Sequence, residues 1–253
     1  MRLALIVEYD GTDYSGFQYQ RDSPSIQEQL EKAITALTGE AVRVGAAGRT
    51  DAGVHALGQV VAFDTGSTHS PATVLRALNH RLPDDIVVKA AYEVPVHFDP
   101  RRDALSRLYR YTVATGAVRS PLKRLTTTTV RERLDVNRMK RAARLYEGVH
   151  DFARFGGPLA DSGASTVREV HSARVERKGD TIVFEVAGTA FLPHQVRRMA
   201  GALVDVGRGA LTTEELKQMI DGNESGAVSR SLPPQGLCLV EVKYADFPPV
   251  TGD

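Results

Sequence analysis

Leu3, Leu5, Val7 and Tyr9 alternate with Ala4, Ile6 and Glu8, a period of two that predicts a strand closed by Asp10-Gly11. The period then changes. Ile26, Leu30, Ile34 and Leu37 recur at helical spacing behind the capping-box pattern Ser25-Ile26-Gln27-Glu28, and Gly39 stops the run. Val42 to Ala46 and Gln59 to Asp64 predict two strands with a polar loop between them. Ser70-Pro71 opens a second helix carrying Val74, Leu75, Leu78 and Leu82, and Ile86 to Tyr92 predicts a further strand.

The same succession recurs. Arg107 to Ala114 reads as a strand, and Asp135 caps a helix with Val136, Met139, Ala143 and Tyr146 inward. Val170 to Val175 and Thr181 to Val186 form a pair joined through Lys178-Gly179-Asp180. His194 to Val206 has helical spacing, Thr212 to Glu215 is a second capping-box pattern, and Leu237 to Tyr244 supplies a closing strand. A repeated β-α-β-β-α-β order predicts an α+β protein of two ferredoxin-like halves, with mainly antiparallel sheets forming a central cleft. The expected domains are 1–103, with the polar loop, and 104–253, with the most basic segment.

Hydrophobic content of 42% with 25% charged residues places the chain among soluble globular proteins. Met1 to Asp10 carries Arg2, Glu8 and Asp10 around a short apolar run, unlike a signal peptide, and no run reaches membrane-spanning length. The single cysteine, Cys238, excludes an internal disulfide, argues against zinc, and reads as a buried thiol in an apolar run. A cytoplasmic protein is expected. Net charge is +1, but residues 101–144 hold 13 Lys+Arg against 3 Asp+Glu, while residues 1–100 hold 8 against 13. Of the 32 cationic residues, 25 are arginine, whose fork matches phosphate and stacks on bases. One basic stripe on a near-neutral chain points either to a polyanion bound in one place or to a solvated surface offsetting acidic neighbours.

The densest chemistry lies in Gly48-Arg49-Thr50-Asp51-Ala52-Gly53-Val54-His55-Ala56. A carboxylate, a guanidinium, a hydroxyl and an imidazole sit together where a core strand would not choose them. In an extended loop Arg49 and Asp51 would leave on one side, and the cation would favour the ionised carboxylate. Asp51 then reads as a nucleophile or base, or as a loop stabiliser paired to a surface arginine. Gly45 to Thr50 is too short for a phosphate loop and has Arg where Lys is required. The histidines show no metal-binding spacing on one helix, and no dinucleotide fingerprint follows a strand. Arg107, Tyr109 and Tyr111 share one strand face, which suits either stacking on bases or half-buried strand aromatics. Arg197 lies at the start of a helix, where anions are attracted.

The nine-residue motif, followed by Gln59-Val60 and Phe63, resembles the signature of the tRNA pseudouridine synthase A family. Tyr9-Asp10-Gly11-Thr12 with Tyr14, Gly16 and Gln18 resembles the family's opening. Tyr109-Arg110-Tyr111, His150-Asp151-Phe152, Phe191-Leu192 with Val196-Arg197, and Pro233 with Gly236-Leu237 follow in the family's order. Phe17 stands where the family often has Trp, and His194-Gln195 and Leu232 differ from the commonest forms. The resemblance implies uridine-to-pseudouridine isomerisation in the tRNA anticodon stem-loop, at positions 38 to 40, by a homodimer without metal or organic cofactor. It implies Asp51 as the catalytic carboxylate, with Arg49 and Tyr109 acting beside it. Leu237, Arg107, Arg110, Arg197 and His55 are then the expected substrate contacts. Two other classes stand beside this reading. One is a non-catalytic RNA-binding module. The other is a glycoside hydrolase with Asp51 as nucleophile, needing a second carboxylate about 5 to 10 Å away, for which Asp10 and Asp13 are candidates.

Overall fold

In the computed structural model, which describes residues 1–116, 118–157, 164–222 and 230–248, the chain forms an α+β fold with mostly antiparallel strand pairing. Two units emerge, Met1–Ser106 with Leu239–Asp253, and Arg107–Cys238. The first unit thus runs three residues past the boundary expected at 103. The closing segment also leaves the second half and joins the first.

In the first unit, β1 (Arg2–Tyr9) is central, antiparallel to β3 (His55–Asp64) on one side and to β4 (Ile86–Val94) on the other. Leu3, Leu5 and Val7 are fully buried. They share the core with Ile26, Leu30 and Ile34 of α1 (Ile26–Thr38) and with Val74 and Leu78 of α2 (Pro71–Asn79). Ser25 caps α1 by accepting from the Glu28 amide at 3.2 Å, and Gly39 ends it in the left-handed region at φ 76°. Half of the expected box forms, because the Glu28 carboxylate goes to Lys32 at 2.7 Å instead. Helix α2 stops before Leu82 because Asn79 turns to β4, donating to Val88 O at 2.8 Å and accepting from Val88 N at 2.7 Å.

The predicted strand at Val42 to Ala46 shrinks to β2 (Gly45–Ala46), antiparallel to β3. Its missing partners are side chains of α1. Glu31 Oε1 accepts from Val44 N at 3.0 Å and Gln27 Nε2 donates to Val44 O at 3.4 Å, so this backbone is satisfied without a ladder. The final strand, β10 (Leu237–Lys243), follows β3 in the sheet order, and its residues from Leu239 on belong to this unit. Phe98, Tyr244 and Phe247 pack with centroids 5.3 to 5.4 Å apart, and Tyr244 OH donates to Pro100 O at 2.7 Å. That aromatic cluster is why residues 239–248 join the first unit.

In the second unit, β5 (Ser106–Thr115), β9 (Thr181–Gly188), β8 (Val167–Lys178) and β7 (Gly148–Asp151) form an antiparallel run in that spatial order. The short strand β6 (Thr128–Val130) adds to β5 in parallel. Both β6 and β7 are too short to show a period in sequence. Helices α3 (Val136–Ala143), α4 (Gln195–Arg208) and α5 (Thr213–Asp221) complete the unit, with the Thr212–Glu215 capping box formed in full. Tyr146, past the end of α3, is fully buried against Phe155 at 5.6 Å and donates to Met199 O at 3.1 Å. Cys238 is half-buried, more open than its apolar run predicts.

Candidate active site

The Asp51 loop is fixed through its own backbone. Ala47 N donates to Val60 O at 2.8 Å, Gln59 Nε2 to Gly48 O at 2.8 Å, and Phe17 N to Thr50 O at 3.0 Å. The Thr50 and Tyr9 hydroxyls bond at 2.8 Å beneath it, both residues buried. Asp51 itself opens a turn in which Val54 N donates to Asp51 O at 3.1 Å, with Gly53 at φ 75° and its N–H given to Tyr14 O at 3.2 Å. Two other glycines let neighbouring backbone press against the loop. A Cβ on Gly11 would lie 2.0 Å from Val54 O, and one on Gly16, at φ 101°, would lie 2.7 Å from Thr50 O. These bonds and close approaches tie the loop to its surroundings on both sides of the half-buried Asp51, a rigid support for that carboxylate.

Around Asp51 the polar side chains divide between solvent and scaffold. Arg49 is exposed. His55 begins β3 and is buried, with Nδ1 3.0 Å from Asp10 Oδ1 and 3.1 Å from the Gly11 amide nitrogen. Its ring therefore braces the Asp10-Gly11 turn, where a substrate contact was expected. Burial, the largest influence on Asp10, would raise its carboxyl. The Thr12 hydroxyl and amide and the His55 ring outweigh burial and hold it below the ordinary 3.8. A hydrolase acid must keep its proton at working pH, so Asp10 is unsuited to that role. Tyr14 donates to Asp85 Oδ1 at 2.7 Å, and burial together with that carboxylate pushes its phenol well up.

In the second unit, Arg107, Tyr109 and Tyr111 do share a face of β5, and it is the core face. They are 7, 8 and 0% exposed, so they do not form the open stacking platform that the alternation admits. Arg107 Nη1 donates to Thr189 O at 2.5 Å, which makes it a structural strut. Tyr109 meets Phe191 edge-on, with centroids 5.3 Å apart. Arg110 points the other way and is paired to Glu185 at 2.7 Å. Lys123 likewise pairs with Asp180 at 2.6 Å. Of the expected substrate contacts, Arg107 is thus enclosed and Arg110 already compensated, as is Lys123 in the basic segment.

Leu237 is 6% exposed and follows a tight turn, Pro234–Gly236. Sequence reasoning missed what seats that turn. The Tyr111 hydroxyl donates to Pro233 O at 2.7 Å and takes a bond from Thr128 Oγ1 at 2.6 Å. A Cβ on Gly236 would fall 2.6 Å from the Tyr111 ring. Arg197 holds the preceding residue, donating from Nε to Leu232 O at 2.7 Å. Gln59, fully buried with its amide on Gly48, supports the loop in a way its place in the motif does not reveal. A glutamine in an otherwise apolar strand is the signal that could have found it.

An α+β chain with a rigid carboxylate-bearing loop and an arginine-rich second unit has the chemical groups of an RNA-modifying enzyme. The tRNA pseudouridine synthase family model matches residues 5–101 and 142–245. A tRNA pseudouridine synthase A of Geotalea uraniireducens is 42% identical over 96% of this chain and 99% of its own. One from Myxococcus xanthus is 45% identical over 98% of this chain and 94% of its own. A solved Cbf5-Nop10-Gar1 complex aligns with TM-score 0.33 at 12% identity, covering 80% of this chain and 54% of that one, too distant to bear on the fold. The chain belongs to the tRNA pseudouridine synthase A family, a family of isomerases that convert uridine to pseudouridine in tRNA.

Proposed function

We propose that this protein isomerises uridine to pseudouridine in the anticodon stem-loop of tRNA, at positions 38 to 40, with Asp51 as the catalytic carboxylate. The observation that carries the assignment is the mounting of Asp51, half-buried on a loop whose backbone is held by β3 and the segment before α1 and whose Thr50 hydroxyl is held by Tyr9 of β1. In the reaction the C1′–N1 bond breaks, the uracil turns, C5 bonds to C1′, and the C5 proton leaves as N1 gains one. Nothing is lost and no redox step occurs, so the chemistry asks for a carboxylate, exclusion of water and tight positioning. Attack on C1′, addition to C6 and removal of a sugar proton each use one ionised carboxylate held still, which the loop supplies.

Around that group, the exposed Arg49 is suited to fill the stack vacated when the target nucleotide flips out. Tyr109 and Leu237 are read as base contacts and Arg197 as an RNA-contacting cation. Phosphates are read onto the exposed cations Arg124, Arg131, Arg133, Lys140, Arg141 and Arg144. Each unit is read as a ferredoxin-like half, supported in the first by the spatial order β4-β1-β3 with β2 also on β3. A cytoplasmic homodimer completes the reading. No helix among the described residues is long and apolar enough to cross a membrane.

The test incubates the protein with an unmodified tRNA transcript and maps pseudouridine by carbodiimide labelling and primer extension. Product is expected in the anticodon arm. Asp51→Asn should abolish it, by at least about a thousandfold, while tRNA affinity stays near that of the parent. Full activity in Asp51→Asn would remove the carboxylate from the mechanism. Tight binding without product would favour a non-catalytic RNA-binding module.

A further inference from the structure

Gln59 breaks the pattern of its strand. It is fully buried on β3, and Val60, Val61, Ala62 and Phe63 after it are all buried and apolar. An apolar residue would suit that place, since a buried amide must find partners at both ends or lose what water gave it. Gln59 finds one at its nitrogen. Its Nε2 donates to Gly48 O at 2.8 Å, and because a carbonyl oxygen only accepts, the amide has to present its nitrogen there. Oε1 is thereby turned away, and no donor among the described residues meets it. Proteins keep a departure of this kind where it serves the site.

The place of Gly48 shows what the bond does. β2 runs antiparallel to β3 with Gly45 against Ala62 and Ala46 against Val61, and Ala47 N donates to Val60 O at 2.8 Å. One more step of that register would set Gly48 opposite Gln59. By Gly58 the neighbour of β3 has changed, since a Cβ there would lie 2.7 Å from Val240 O of β10. The chain therefore leaves the sheet at Gly48, and the Gln59 side chain holds the carbonyl at the point of departure. Two residues on, Thr50 O accepts from Phe17 N at 3.0 Å. Arg49 stands between these two held carbonyls, and Asp51 directly follows them.

We propose that Gln59 is a positioning residue for the reaction: its amide fixes where the chain departs from β3, and so where Arg49 and Asp51 stand. The proposal rests on the reading of Asp51 as the catalytic carboxylate. Positioning supplies much of the rate in a reaction where nothing enters or leaves, and a displacement of about 1 Å can cost on the order of a hundredfold. An anchor rooted in a strand that lies between β1 and β10 is firmer than one on a loop.

Gln59→Met and Gln59→Leu remove the donor and the unmatched acceptor together and leave an apolar side chain of similar size. Their thermal midpoints are therefore expected within about 3 °C of the parent. Single-turnover rate and affinity on an unmodified tRNA transcript are measured for both, beside Asp51→Asn. In the Gln59 variants the rate should fall about tenfold to a hundredfold while affinity stays within about threefold. Hydrogen exchange should quicken from Gly48 to Val54 and stay unchanged in β1. If Asp51→Asn acts like the parent, the reading of Asp51 falls and the proposal with it. If Asp51→Asn is inactive and both Gln59 variants turn over like the parent, the role of Gln59 alone is overturned. The same follows if both variants fail to fold, or if their loss of rate comes with an equal loss of affinity and faster exchange throughout the first unit, since either marks a role in folding.

Discussion

At the residue scale, function in this chain depends on side chains that never touch the proposed substrate. Asp10 is a case with a measurable sign. Its carboxyl is lower in the fold than in the open chain, because Thr12 and His55 outweigh the opposing effect of burial. Its contribution to stability is therefore full above the ordinary value of 3.8 and is lost as pH falls through the lower folded value. Asp10→Asn should lower stability at pH 7 by no more than about 1 kcal/mol, since the side chain is 43% exposed and water screens the interaction. The difference in thermal midpoint between parent and variant should close in acid. A gap that stays constant down to the acid transition would mean that the hydrogen bonds do not favour the ionised form. Asp51 is legible in the sequence because Arg49 and Thr50 crowd beside it between glycines at 48 and 53, with His55 just beyond. His55 and Arg107 are harder to read, and for one reason. A polar side chain in a motif carries the same letter whether it faces a ligand or the protein's own backbone, and only burial separates the two.

At the element scale, the period of apolar residues located every long strand and helix, and it failed where side chains replaced a ladder. The strand expected from Val42 collapsed because Glu31 and Gln27 of α1 took its backbone groups. The alternation in β5 gave the correct face for Arg107, Tyr109 and Tyr111 but not which face was solvent, since what packs on the sheet sets that. Helix α3 carries the clearest element-scale prediction. Met139, Ala142 and Ala143 bury one side of it, which leaves Lys140 and Arg141, with Arg144 in the next turn, exposed. Removing those three charges together should weaken tRNA binding. It should also reduce the slope of log affinity against log salt by up to about 1 for each phosphate no longer neutralised. Asp51→Asn should leave that slope unchanged. An unaltered slope in the triple variant would remove α3 from the RNA-contacting surface.

At the scale of the whole molecule, the chain closes its first unit with its last strand. The repeated period in the sequence argued for two consecutive halves, and nothing in the composition of residues 237–248 says which half they complete. The structure assigns most of them to the first, because β3 offers an edge that β2, at two residues, does not cover. Gly58 makes room for that strand, since a Cβ there would lie 2.7 Å from Val240 O. Leu239 is fully buried, and Phe247 closes the aromatic cluster with Phe98 and Tyr244. A fragment of residues 1–106 would thus expose the edge of β3 together with the apolar side chains that β10 covers. It should fail to unfold cooperatively in urea and should associate, with loss of near-ultraviolet circular dichroism. Fusing residues 237–248 to that fragment through a long flexible linker should restore a sigmoidal transition, because lengthening a loop costs little. A fragment of 1–106 that already melts cooperatively as a monomer would show that β1, β3 and β4 with their two helices suffice, and that β10 serves the protein in some way other than closing the first core.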